Sequence, residues 1–147
     1  MHFNFYYTFV KNLYLLLILA ITLGCTQSNE EKLSHISGYW EIASIENPAG
    51  QVKEFSMSQN IDFFEVNADG KGVRKKVQPN VVGEFTTSQS SENINVVYKD
   101  DLLLLEYATA MDTWQETVKK ATTDELVLIN EDGLIYTYRK YTPLALD

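Results

Sequence analysis

The chain has 147 residues, 45% of them hydrophobic and 22% charged, which is the composition of one globular domain and not of a disordered or collagenous chain. Twelve Lys and Arg stand against twenty Asp and Glu, a formal charge of −8, so the electrostatic grip that nonspecific nucleic-acid binding needs is missing and nucleic acid is excluded as a partner. One cysteine and two histidines leave no intramolecular disulfide and no Cys/His zinc cage; no metal and no cofactor is expected, and stability must come from packing.

At the start of the chain, Lys11 and the amino terminus supply the positive charge, and no acid precedes Glu30. Residues 13–23 then run apolar, Leu-Tyr-Leu-Leu-Leu-Ile-Leu-Ala-Ile-Thr-Leu. Such a run makes about 16 Å of helix, well short of the roughly 30 Å that a hydrocarbon core demands. It fits a signal-peptide core. The alternative is an uncleaved anchor that recruits Phe3, Phe5, Tyr6, Tyr7 and Phe9, which would place Lys11 and Asn12 in the bilayer at considerable cost.

Thr22-Leu23-Gly24-Cys25 follows and resembles the lipobox of bacterial lipoproteins, with Thr22 where Leu usually stands three residues before the cysteine. The resemblance implies cleavage after Gly24 and lipid attachment at Cys25, the chain's only cysteine, as a diacylglycerol thioether with a palmitate-type acyl chain on its amine. Several acyl chains hold firmly where one is marginal, each buried methylene adding about 0.8 kcal/mol. The implied location is the cell envelope. Thr26 is not the aspartate that marks inner-membrane retention in many such proteins, which points to the outer membrane, on its periplasmic or surface face. Glu30-Glu31 resembles the acidic surface-export signals of some of them, with a plain solvated linker as the alternative.

Removal of residues 1–24 takes away Lys11 and no acid, leaving eleven bases against twenty acids and a formal charge of −9, which anionic lipid would repel. Residues 26–32 contain no apolar side chain, so 26–36 reads as a flexible tether with a reach of about 35 Å. The chain thus divides into a signal peptide at 1–24, a lipidated cysteine and tether at 25–36, and a globular domain at 37–147.

From Gly38 onward, turn chemistry recurs at Asn47-Pro48-Ala49-Gly50, Asn67-Ala68-Asp69-Gly70, Gln78-Pro79-Asn80, Lys99-Asp100-Asp101, Thr122-Thr123-Asp124 and Asn130-Glu131-Asp132-Gly133. The segments between are short, rich in Val, Ile, Phe, Tyr and Thr, and alternate: Ile94, Val96 and Tyr98 share a face, as do Leu126 and Leu128, and Tyr136 and Tyr138. Strands are predicted at 38–46, 60–67, 72–78, 81–88, 93–99, 102–109, 113–120, 125–130 and 134–141, with a polar hairpin end at 86–93. No helical stripe is visible beyond a turn around 52–57. Eight or nine strands joined by hairpins make an antiparallel meander, and closing it removes both exposed edges, so the predicted fold is all-β, an up-and-down barrel. A sandwich is the alternative architecture.

Gly38-Tyr39-Trp40, Asn67-Ala68-Asp69-Gly70, Asp124-Glu125-Leu126-Val127-Leu128 and Tyr136-Thr137-Tyr138-Arg139 together resemble the small bacterial lipocalin-like lipoproteins over residues 36–141. The resemblance implies a lipocalin-like barrel whose closed end is plugged by Trp40 beneath Arg139, a cation over an indole that gains roughly 0.5–2 kcal/mol. No second lipocalin signature of the Thr-Asp-Tyr kind is present between the sixth and seventh strands.

The residues offer little for catalysis. Cys25 is consumed by lipid, His35 lies by the tether, and there is neither a Gly-x-Ser-x-Gly elbow nor a phosphate-cradling glycine loop. The pairs Glu30/Glu31, Asp100/Asp101 and Glu131/Asp132 fall in the tether or in turns, so no catalytic residue is assigned and no enzyme is expected. The basic run Val73-Arg74-Lys75-Lys76-Val77 reads as the decoration of an exposed strand, with an acidic partner or lipid phosphate as the alternative. Alternation aims Trp40, Ile42, Phe64, Val66, Leu103, Leu105, Trp114, Leu126, Leu128, Tyr136 and Tyr138 at the barrel interior, with the facing of 60–67 and 102–109 ambiguous. Such a lining suits a small hydrophobic ligand, and it equally fills a solid core. The expected function is therefore ligand binding by an envelope lipoprotein. Its alternative is a structural or interaction module with an envelope protein partner.

Overall fold

A computed structural model describes residues 27–80 and 83–142, and the signal peptide, the lipobox and Cys25 lie outside the described residues. A short helix, α1 (Asn29–Ile36), precedes nine strands: β1 (Gly38–Glu46), β2 (Val52–Glu54), β3 (Ile61–Val66), β4 (Lys71–Pro79), β5 (Phe85–Lys99), β6 (Leu102–Ala108), β7 (Thr113–Ala121), β8 (Glu125–Asn130) and β9 (Ile135–Lys140). All pairings are antiparallel, β1 pairs with both β2 and β3, β3 to β9 follow in sequence order, and β9 returns to β1 with Trp40 opposite Lys140 and Ile42 opposite Tyr138. The wall is a closed eight-stranded up-and-down barrel, with β2 as a short extra strand on the far part of β1.

One turn design recurs. At Asn47, Asn67, Asn80 and Asn130, the asparagine carbonyl accepts from the glycine three residues on, and the asparagine N–H donates to the carbonyl of the residue after that glycine, at 2.8–3.1 Å. The glycines at 50, 70, 83 and 133 all have φ near +80°, the left-handed position that closes a three-residue hairpin loop. The hairpin predicted at Gln78–Asn80 therefore forms slightly later, from Asn80 to Gly83.

Two predicted features are corrected. First, the strands predicted at 81–88 and 93–99 are joined: residues 85–88 and 93–99 belong to the single strand β5, and the polar stretch at 86–93 lies within it. β5 pairs with β6 only from Asn93 onward, so its earlier half has β4 alone as a neighbour and needs no apolar face there. An irregularity opposite Lys75 and Val77 lets β4 follow both halves. Phe85 stacks at 4.5 Å on Tyr39, which also meets Phe63 at 4.7 Å, an aromatic cluster outside the barrel.

Second, residues 27–36 are not a free tether. Ser28 caps α1, its Oγ accepting from the Glu31 N–H at 3.1 Å, and Glu30 and Glu31 lie in the first turn, where the helix dipole favours acids. Leu33 and Ile36, three apart, pack on the core, and Ile36 is fully buried. The helix closes one end of the barrel, beside the β3–β4, β5–β6 and β7–β8 turns.

Candidate functional site

The interior divides into two halves. Near α1 it is apolar: Ile36, Trp40, Leu103, Leu105, Val118, Ala121, Leu126 and Leu128 form one buried cluster. Trp40 is fully buried, and its Nε1 donates to the Ile36 carbonyl at 2.8 Å, so the helix end satisfies the one polar atom of the plug. The cation above it is Lys140, with Nζ 4.4 Å from the ring centroid. This corrects the predicted Trp40–Arg139 pair. Alternation turns Arg139 outward, where it pairs with Glu41 at 2.9 Å and donates to the carbonyls of Phe55 at 3.1 Å and Ser56 at 2.8 Å. Gly38 explains the substitution of roles, because a Cβ there would collide with the Lys140 ammonium, and its φ of +136° disfavours any side chain. Burial lowers the pKa of Lys140, with Asp124 acting in the opposite sense.

The other half of the interior carries charge. Arg74 faces inward, opposite Phe64, and its guanidinium sits 4.4 Å from the Tyr107 ring centroid and 5.8 Å from those of Phe64 and Trp114. It pairs with Glu92 and, at 3.4 Å, with Glu116. Asp62, also buried, pairs with Lys76 at 3.0 Å. Side-chain exposure rises from 8% at Glu116 and 11% at Arg74 to 24% at Glu92 and 57% at Lys76, a graded path toward solvent. Tyr107, Trp114, Glu116 and Tyr136 lie near the β6–β7 and β8–β9 turns, at the end away from α1. The rings of Tyr107 and Trp114 stack at 5.3 Å.

Among the described residues, the ion-paired group holds two cations, Arg74 and Lys76, and three carboxylates, Asp62, Glu92 and Glu116, one negative charge in surplus within that group. The protein eases it at Glu116, whose pKa is raised above the ordinary 4.5 mainly by burial, against the pull of Arg74. Burial opposes the charge of Arg74 too, but the Tyr107 oxygen and the two glutamates outweigh it and hold the guanidinium more firmly protonated than usual. The Tyr107 hydroxyl is buried beside Glu116 and makes no well-aligned hydrogen bond. Burial also raises the Tyr138 hydroxyl well above its ordinary value. The cluster thus offers aromatic faces, hydrogen-bond acceptors and, at Glu116, a carboxyl that holds its proton more firmly than usual.

The raised pKa fixes the sign of a pH effect. Below the ordinary carboxylate range both folded and unfolded chains hold the Glu116 proton; as pH rises the unfolded chain releases it first, so stability falls through that window. Glu116→Gln should therefore gain in melting temperature relative to the wild type as pH rises upward from the ordinary carboxylate range. A gap that stays constant or moves the other way contradicts the assignment.

All eleven predicted lining residues meet in one interior: Trp40, Phe64, Leu103, Leu105, Leu126, Leu128 and Tyr138 within the buried cluster, and Ile42, Val66, Trp114 and Tyr136 packed against it. Arg74, Glu92, Glu116, Asp62 and Tyr107 were not foreseen. A cleft of about 570 Å3 crosses β4 to β7; Lys71, Asn95, Glu106 and Gln115 line it together with Ile94, Tyr107 and Trp114, so it borders the aromatic pair of the interior.

No protein-family model matches the sequence, and a search of curated proteins finds no match. Among solved structures, a lipocalin-like protein from Bacteroides uniformis aligns over 73% of this chain and 99% of its own, at 14% identity and a TM-score of 0.46. An uncharacterized protein from Bacteroides eggerthii aligns over 71% of this chain and 98% of its own, at 17% identity and a TM-score of 0.45.

Proposed function

We propose that the chain is an acyl-anchored envelope protein whose barrel binds one small, largely apolar molecule carrying a single polar or cationic group. One observation carries the ligand reading: a charged cluster with one surplus carboxylate is turned into the barrel, between aromatic rings, with the Tyr107 hydroxyl left without a well-aligned partner. Burying ions gains little stability over apolar packing of equal volume, so a barrel built only to be solid has no need of them. The rings of Tyr107 and Trp114 suit the apolar part of a ligand, and the surplus negative charge suits a hydrogen-bond donor or cation. The anchor is supported by the short apolar run and the lipobox-like Thr22-Leu23-Gly24-Cys25.

Paired amphiphiles test the sign of that preference. Octylamine should bind saturably and more tightly than octanoate in a calorimetric titration near neutral pH, and Glu116→Gln should narrow the difference. Equal affinities, or no saturable heat from either, would remove the ligand reading. The second reading, an interaction module for an envelope partner, is favoured by the polar side chains Lys71, Asn95, Glu106 and Gln115 along the cleft across β4 to β7.

A further inference from the structure

We infer that the end of the barrel closed by α1 is a membrane-contacting face, held against lipid headgroups by the acylated Cys25, so that the charged interior opens away from the bilayer. The inference rests on the reading of Cys25 as the lipid site and gives that anchor an orientation. Gln27 is fixed to the barrel: its Nε2 donates to the Ala121 carbonyl, and its Oε1 accepts from the Ala121 N–H at 3.2 Å. Asn29 donates from Nδ2 to the Asp101 carbonyl at 3.0 Å. From there α1 runs to Ile36, which is fully buried in the core. These contacts tie the chain to the β7–β8 and β5–β6 ends of the wall.

Only Thr26 separates Gln27 from Cys25. The two steps of chain between Cys25 and Gln27 span at most about 7 Å when fully extended. A headgroup layer is itself about 5–8 Å deep on each side of the hydrocarbon. An acyl chain on Cys25 therefore leaves the Gln27 end of the barrel no room to stand clear of the headgroups.

The rim at that end has suitable side chains. Tyr98, 53% exposed, and Leu102, 47% exposed, flank the Asp100-Asp101 turn whose carbonyl Asn29 engages. Tyrosine is enriched at membrane–water interfaces because its ring is apolar and its hydroxyl wet, and Lys99 beside it has an apolar stem that tolerates the same depth. Asp100, Asp101 and Asp124 at this end oppose anionic lipid, so the partner surface is zwitterionic and the anchor, not charge attraction, holds the contact. Arg74, Glu92 and Glu116 lie toward the opposite turns, and a ligand would reach them from the aqueous side.

The full-length acylated protein in phosphatidylcholine vesicles tests the orientation. A cysteine introduced at Thr123, in the β7–β8 turn, or at Met111, 97% exposed in the β6–β7 turn, is the only free thiol once Cys25 carries lipid. Each is labelled with a thiol-reactive fluorophore, and a fraction of the lipid carries a headgroup nitroxide quencher. The label at 123 should be quenched several-fold more than the label at 111. A flexible Gly/Ser insertion of about twelve residues between Thr26 and Gln27 should equalise them without loss of vesicle binding. Equal or reversed quenching in the uninserted, vesicle-bound protein overturns the orientation alone. An acylated protein that does not float with the vesicles, or a Cys25→Ser variant that still does, overturns the anchor and the orientation with it.

Discussion

Arg74→Ala should destabilise the domain by about 3–5 kcal/mol, because it leaves Glu92 and Glu116 facing each other inside the barrel with no guanidinium between them. The loss comes mostly from the two stranded carboxylates, not from the pair energy itself, and a second variant separates these. Arg74→Met combined with Glu92→Gln and Glu116→Leu removes every charge of that group at similar volume, and should return stability to within about 1 kcal/mol of the wild type or above it. Urea unfolding at constant pH measures both. A single variant that costs under about 1 kcal/mol would mean that the guanidinium is solvated and the interior open to water in the free protein.

Trp40→Ala should cost about 3–5 kcal/mol, the usual range for removing a large buried aromatic, since Trp40 fills the space between α1 and the apolar half of the barrel. Trp40→Phe keeps most of the volume and loses the 2.8 Å bond to the Ile36 carbonyl, a cost of about 0.5–1.5 kcal/mol. The informative readout is local: amide exchange at residues 32–36 should accelerate in Trp40→Phe by more than the global stability change explains, because α1 is stapled to the barrel through that bond. Uniform acceleration across the domain would place the helix in the common fold and deny it a dependence on Trp40.

The barrel was legible because its turns and alternation are chemical. Asn-x-x-Gly marks three of the four matching hairpins without ambiguity, and the fourth was displaced only because Pro79 drew the turn toward itself while Gly83 stood further along. The helix was missed for want of length: about two turns carry only Leu33 and Ile36 as apolar residues, and the Ser28-x-x-Glu31 spacing was the remaining sign. Arg74 was obscured by Val73 and Val77, which suggest that the valines face inward, whereas pairing with β3 puts Arg74 opposite the inward Phe64. The partner was more accessible, since Glu116 lies between Trp114 and Val118 on one face, and Tyr107 continues the Leu103, Leu105 series. Arg139 and Lys140 exchanged roles for a reason of register: Lys140 is the residue opposite Trp40.

The outer contacts carry a lesson about charge. Arg139 contributes by tying the 55–58 segment to β1 through two carbonyls and Glu41, whereas Lys140 acts over the indole at the closed end. Adjacent cations on one strand thus serve opposite faces of the wall, as the period of two requires.

The claim on which the rest depends is that the barrel's inward charges are kept to hold a ligand and not to hold the fold. The triple variant Arg74→Met/Glu92→Gln/Glu116→Leu, titrated calorimetrically with octylamine beside the wild type, tests it most directly. The account requires a variant as stable as the wild type that no longer binds the amine. A variant that binds it with unchanged affinity would contradict the account.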